Sequence, residues 1–379
     1  VVKEGSFTMA GVKMGMDLLL KQPQAEAVTL VDSTQLTVHN DTLSLAEDFK
    51  MNRAARIYAQ YDLSKDAYLA DLVVNNLDVH QFLPKDSIFD MDMNLHADGE
   101  GLDLFASRTR FNIHGKVDKL HYASYRLAGY DLRAVLENHQ LDASFIARNS
   151  AMELNAHLDG KLKPNDVVAH LQMQVPKLDW QSLQITEKPI TSSHQLDVSF
   201  LTDMIKKYEI NASLVNSSIK APKKTFKTKD FHVGFATSAD STGAFVKAGD
   251  LDMTFEGKGY VETLIAQTDA FTSRAAEQWT SKTIEQEELK KLLPTFCLKI
   301  TSGNDNPLSN ILGMNGISYN KLYMDLDTSP GDGINGESYI YGMATDSLVV
   351  DTISLDLNHL EDGLEFFTEV ISNSKPNQE

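Results

Sequence analysis

The chain has 379 residues, 53 acidic and 35 basic, for a net charge of −18. That acid excess excludes a nucleic-acid backbone as partner, because no basic patch could dominate the field of the molecule. The single cysteine, Cys297, excludes an intrachain disulfide and a cysteine-based metal site, and 42% hydrophobic residues exclude wholesale disorder.

No window reaches the roughly 20 apolar residues of a membrane helix. The longest apolar run near the start, Met16 to Leu20, is broken by Asp17. Val1 is not a start methionine, so the sequence reads as the middle of a larger protein whose membrane anchor lies outside it.

Period two governs the chain from about Phe7 to about Phe255. Ile57, Ala59, Tyr61 and Leu63 alternate with polar or charged neighbours, and Phe89, Met91, Met93 and Leu95 alternate with Asp90, Asp92, Asn94 and His96. Met152, Leu154, Ala156 and Leu158 repeat the pattern, and so do Leu196, Val198 and Phe200. Alternation puts one set of side chains on each face of a strand. One face is apolar and the other polar and largely acidic, which is the pattern of antiparallel sheets with one wet face. The spacing predicts turns at Asp98–Gly101, Asp159–Gly160, Ser302–Asp305 and Ser329–Gly333.

A weak internal repeat crosses this region. Leu77-Asp78 superposes without gaps on Leu178-Asp179, which brings Tyr68, Ala70, Leu72 and Val74 onto Ala169, Leu171, Met173 and Val175, and Phe82 onto Leu183. A quasi-repetitive sheet accounts for this better than two unrelated domains.

The period then changes. Val261, Leu264, Ile265, Phe271, Ala275 and Trp279 recur at three- and four-residue steps, which predicts an amphipathic helix from about Val261. A second helical stretch begins at a capping box, Thr283 with Gln286, and stops at Pro294. Strands resume at Phe296: Leu322, Met324 and Leu326 alternate with Tyr323, Asp325 and Asp327, and Ile353, Leu355 and Leu357 with Ser354, Asp356 and Asn358. The chain thus divides into a sheet segment 1–255, a helical segment 256–294 and a continuing sheet 295–379.

Catalytic signatures are absent from this pattern. The eleven His are scattered along strands, with no pair at metal-ligand spacing beside a carboxylate on a helix. There is no G-x-S-x-G elbow and no Gly-rich phosphate loop. Asp240-Ser-Thr-Gly243 and the acidic stretch from Asp325 to Gly333 read as turns, not as a protease or calcium loop. The chain reads as a non-enzyme without cofactor or metal.

The apolar face remains as the candidate site. Its members are Phe89, Met91, Met93 and Leu95, then Leu171, Met173 and Val175, then Leu196, Val198 and Phe200, and finally Leu322, Met324 and Leu326. Methionine suits an irregular or mobile partner. The rival is a sandwich core, two sheets packed on each other, although no Cys–Trp–Cys immunoglobulin signature is present.

Gly115–Phe145, with Tyr122, Tyr125 and Tyr130-Asp131-Leu132 inside it, resembles the repeat of the TamB proteins. Tyr68–Pro84 is similar to that family's strand-plus-turn unit, and Asp305–Leu308, Asp327–Gly336 and Asp346–Ile353 look like its Bacteroidota branch. The resemblance covers most of the chain, without the family's N-terminal anchor or C-terminal domain. It implies an AsmA-like fold: mostly β, an elongated, curled, antiparallel-rich sheet forming a gutter with an apolar interior, plus one long amphipathic helix. It also implies a periplasmic segment of a protein anchored in the inner membrane of a Gram-negative bacterium. Such proteins work with an outer-membrane barrel of the BamA superfamily and carry phospholipid between the membranes.

An open apolar strip suits such cargo physically, since each lipid methylene gains roughly 0.8 kcal/mol on leaving water. The helix is expected to lay its stripe of Leu264, Phe271 and Trp279 on the lining as plug or brace; the rival is an ordinary packing helix. Two other functions share the sequence pattern. One is a scaffold that assists outer-membrane protein assembly or secretion by strand addition. The other is a surface adhesive or carbohydrate-binding β-sandwich, for which Trp180 and Trp279 are few and far apart.

Overall fold

The structure, a computed structural model, describes residues 5–9, 12–16, 31–39, 42–49, 55–62, 64–78, 88–122, 125–222, 224–345, 348–360 and 363–372. It is mostly β, with 63% of residues in strands. The period-two stretches become strands because alternation lets each one bury half its side chains against its neighbours while its backbone pairs on both sides.

The strands run in chain order. β1 (Gly5–Met9) and β2 (Val12–Met16) form a separate hairpin. β3 (Val31–His39), β4 (Thr42–Phe49), β5 (Ala55–Asp62), β6 (Ala67–Asp78), β7 (Ile88–Glu100) and β8 (Arg110–Tyr122) form an antiparallel meander. β9 (Tyr125–Leu127) and β10 (Tyr130–Glu137) both pair with β8 in one continuous register, interrupted at Ala128 and Gly129. β11 (Gln140–Arg148) and β12 (Met152–Lys163) extend the meander.

Next come β13 (Asp166–Asp179), β14 (Thr191–Thr202), β15 (Tyr208–Ala221), β16 (Lys224–Lys227), β17 (Phe231–Thr237), β18 (Ser241–Ala248) and β19 (Leu251–Lys258). Two helices follow, α1 (Val261–Ser281) and α2 (Gln286–Leu292), and then β20 (Phe296–Ser302). The last elements are α3 (Pro307–Met314), β21 (Lys321–Ser329), β22 (Gly333–Ala344), β23 (Val349–Leu360) and β24 (Gly363–Ile371).

The chain forms two compact units. One comprises residues 1–164, 171–193 and 219–225; the other comprises 165–170, 194–218 and 226–379. The first contains the meander from β3 to β12. The second contains an antiparallel ladder that runs from β15 through β17, β18, β19, β20, β21, β22 and β23 to β24. β19 pairs directly with β20, so α1 and α2 are an insertion between two adjacent strands.

Several local expectations are corrected. Asp98–Glu100 and Asp159–Gly160 are not turns but lie inside β7 and β12. Gly99 is there because a Cβ would collide with the Tyr68 ring across the ladder. Thr283 does not cap α2. The cap position is Glu285, whose backbone N–H donates to Gln278 Oε1 at 2.7 Å, so α1 supplies the acceptor that the capping box was expected to supply. Ser302–Asp305 leads not into a hairpin but into α3. Asn306 caps that helix reciprocally with Ser309, and Pro307 occupies its first turn. Phe82 lies outside the described residues.

Asn306 also anchors the α3 loop. It is 1% exposed. Its Nδ2 donates to Asp250 Oδ1 (2.5 Å), Ser302 Oγ (2.9 Å) and the Gly303 carbonyl (2.8 Å), while Oδ1 accepts from Ser309 N at 2.9 Å. Truncation to alanine takes a partner from buried Ser302 and removes the cap. Asn306→Ala is therefore expected to cost about 2 kcal/mol in urea unfolding, with the β signal in circular dichroism retained.

Candidate functional site: the apolar face of the sheets

Residues registered opposite each other on an antiparallel ladder share a face. In the first unit one row across the strands reads Leu72, Leu95, Gly115, Leu132, Phe145, Ala156. The next row reads Val74, Met93, Val117, Tyr130, Ala147, Leu154, with Tyr130 stacked on Phe145 at 5.6 Å between ring centroids. Met91 continues this face between Leu77 and Leu120. Phe89 belongs to β7 beside a bulge in the β7–β8 register.

The second unit has the same construction. Met253, Ile300, Met324, Ser338 and Leu355 form one row; Phe255, Leu298, Leu326, Gly336 and Leu357 form another. Leu322 lies in a third, with Ile340 and Ile353. The register thus brings Met91, Met93 and Leu95 together in one unit, and Leu322, Met324 and Leu326 together in the other.

On β13, Leu171 and Met173 are half-buried and Val175 is 3% exposed. Its repeat partner Val74 is 2% exposed, so the superposed strands bury the same position. On β14, Leu196, Val198 and Phe200 are half-buried on the face opposite Asp197. His194 shares their face, and burial pushes its imidazole pKa down, toward the neutral form.

These faces are not sealed. Met91, Met93, Leu95, Leu322, Met324 and Leu326 all keep intermediate exposure, and Leu132 is 40% exposed. Among the described residues only ten hydrophobic side chains are fully buried. A sandwich core would bury these rows against a second layer. Here these side chains stay partly accessible. Leu132, Phe145, Phe255 and Ile300 were not among the apolar-face candidates drawn from the sequence, although each lies on that face in the register.

The helices meet this face at one margin. Thr237 and Thr242 share a hydroxyl hydrogen bond of 2.8 Å; Thr242 Oγ1 donates to the Gly259 carbonyl (2.7 Å), and Thr237 Oγ1 accepts from Val261 N (2.9 Å). α1 therefore starts over the row Thr242, Gly257, Phe296, and Leu264 fills the space that Gly257 leaves, where a Cβ would fall 2.5 Å from its Cδ1. The expected stripe divides here. Leu264 is buried on the lining, Phe271 is half-buried, and Trp279 is 80% exposed and does not lie on it. The far end of α1 turns instead to α2, where Glu288 takes a bidentate pair from Arg274 at 2.8 and 3.0 Å and a bond from buried Gln278.

The opposite faces are polar. In the first unit acids meet cations across and along strands: His96 lies 2.6 Å from Asp71 on the neighbouring strand and 3.1 Å from Asp98 on its own, Lys116 lies 2.8 Å from Asp118 on its own strand, and Arg110 lies 2.9 Å from Glu100 across the ladder. In the second unit Cys297, the single cysteine, meets Asp325 and Asp327, with ligand atoms within 4.8 Å of one another. Burial, then Asp327, push the thiol up to about 11, and Lys299 already pairs with Asp325 at 2.9 Å. A protonated thiol and a neutralised carboxylate make a poor cation cradle.

No family model, curated protein or solved structure matches the chain.

Two predictions follow from this geometry. The Asp71 carboxylate beside His96 raises the imidazole pKa above its ordinary value. The pairing therefore stabilises the fold in full below about pH 6.5 and is lost as pH rises through the higher folded-state value. The urea midpoint of the wild type should exceed that of His96→Gln at pH 5.5, and the gap should shrink by pH 8.5. Leu264→Ala should speed proteolytic cleavage within α1 and α2 while leaving the strand signal in circular dichroism intact, because only the helix loses its seat.

Proposed function

We propose that this chain is a lipid-carrying segment: the apolar faces of its sheets hold phospholipid acyl chains while the polar faces stay in water. The observation that carries the reading is the set of leucine, methionine and phenylalanine rows, registered from strand to strand and left partly exposed among the described residues. A soluble monomer rarely leaves so continuous an apolar surface without a partner. At roughly 0.8 kcal/mol per methylene, ten covered methylenes gain about 8 kcal/mol without any shaped pocket. Methionines along the strip adapt to a mobile chain.

The resemblance to TamB proteins extends the proposal. It would make the chain part of an inner-membrane-anchored periplasmic bridge that delivers phospholipid toward an outer-membrane barrel of the BamA superfamily. No catalytic step belongs to this reading.

Photo-crosslinking residues at Met93 and Met324 should label copurified or added phospholipid, while the same residue at His114 or Thr301, on the polar faces, should not. Met93→Lys and Met324→Lys should each lower the bound lipid seen in native mass spectrometry several-fold without loss of strand content. Lipid labelling that is equal on both faces, or crosslinks only to unfolded barrel protein, would sink the reading and favour the assembly scaffold.

A further inference from the structure

The polar face of the second unit differs from that of the first in how its charges are balanced. Across β20 to β24 one row reads Lys299, Asp325, Glu337, Asp356, Phe367, which places three carboxylates directly opposite one another on successive strands. Like charges in that position repel. Lys299 neutralises Asp325, but among the described residues no ion pair reaches Glu337 or Asp356. The Tyr339 hydroxyl donates to both, at 3.2 Å to Glu337 and 3.4 Å to Asp356, and Tyr323 also hydrogen-bonds Glu337.

The adjoining side chains are aromatic. Tyr323 and Tyr339 face each other across β21 and β22 with centroids 6.1 Å apart, and Tyr341 stacks on Tyr339 at 6.2 Å with planes 9° from parallel. Tyr341 is exposed, and Phe367, at the end of the carboxylate row, is 62% exposed. Two carboxylates without a cation partner beside a tyrosine shelf complement one chemistry: a planar cation that stacks on aromatic rings and donates paired hydrogen bonds to carboxylates. That is the arginine guanidinium.

We propose that the outer face of β21–β23 docks an arginine-bearing segment of a partner protein, with guanidinium groups set between Glu337 and Asp356 and against Tyr339 and Tyr341. This face is opposite the apolar one, so the proposal stands or falls independently of lipid carriage. The partner's cations would relieve the repulsion that the row carries when free, and electrostatic attraction would speed the encounter and weaken with salt.

The test is titration of the full chain with hexa-arginine and hexa-lysine peptides at low and high salt, read by fluorescence anisotropy. Hexa-arginine should bind more tightly than hexa-lysine, and the preference should vanish in Tyr339→Leu/Tyr341→Leu. Glu337→Gln/Asp356→Asn should weaken hexa-arginine about tenfold while raising or preserving the urea midpoint, because repulsion is removed. Glu262→Gln/Asp269→Asn, the same charge change on α1, should shift binding by no more than about twofold. Equal loss in both charge variants would reduce the effect to general attraction by an acidic chain and overturn the proposal. So would the absence of peptide binding, or a lower urea midpoint in Glu337→Gln/Asp356→Asn.

Discussion

Antiparallel register that sets apolar residues of neighbouring strands opposite one another is the constraint on which the rest of this structure depends. A pleated strand has a period of two, so a slip of one residue between neighbours would move a whole row of leucines and methionines to the wet side. From β8 to β12, and again from β17 to β24, the rungs keep the same parity, and across the bulged β6–β7 and β7–β8 pairings the apolar residues of each strand still meet those of the next. Where an extra residue enters, as between Val74 and Leu77 on β6, the ladder resumes with Leu77 beside Met91, so the apolar partnership survives the bulge.

With register held, stability comes from backbone pairing and from lateral contact within rows, not from a deep core. Val74 is the buried centre of a small cluster with Leu72, Leu77, Met91 and Met93, all from two adjacent strands. The polar faces contribute cross-strand pairs such as His96 with Asp71, whose surface setting keeps each contribution small. A sheet stabilised in this way can keep one face open, and that openness is what a binding function requires.

The strands and both faces were legible in the sequence because alternation reports directly on which side a residue occupies. Met93 and Met324 show the same parity in sequence and in register. Turn chemistry was less legible. Gly99 and Gly160 read as turn residues, yet within a strand a glycine can serve to admit a neighbour's bulk, as Gly99 admits Tyr68, and no local pattern distinguishes the two uses. The cap of α2 was hidden for a related reason: its acceptor, Gln278, comes from another helix. Asn306-Pro307 followed by Ser309 did carry the signature of a helix start, but Asn306 is satisfied by Asp250 from a preceding loop, a contact that local sequence does not display. Trp279 fits the helical stripe by spacing, but spacing does not say how far along a helix its support extends.

The helical insertion is closed at its neck by a backbone bond, Lys258 N to the Thr295 carbonyl at 2.9 Å, and braced from β21 by the Thr328 hydroxyl, which donates to the Pro294 carbonyl at 2.7 Å. β19 and β20 are therefore zipped together before the chain departs and after it returns. The intervening 35-odd positions can lengthen, shorten or be exchanged for another module without disturbing a rung, since loop length adds only slowly to the entropy of closure. The neck is thus a natural outlet for variation, where an appendage can be refitted while the sheet beneath keeps its spacing.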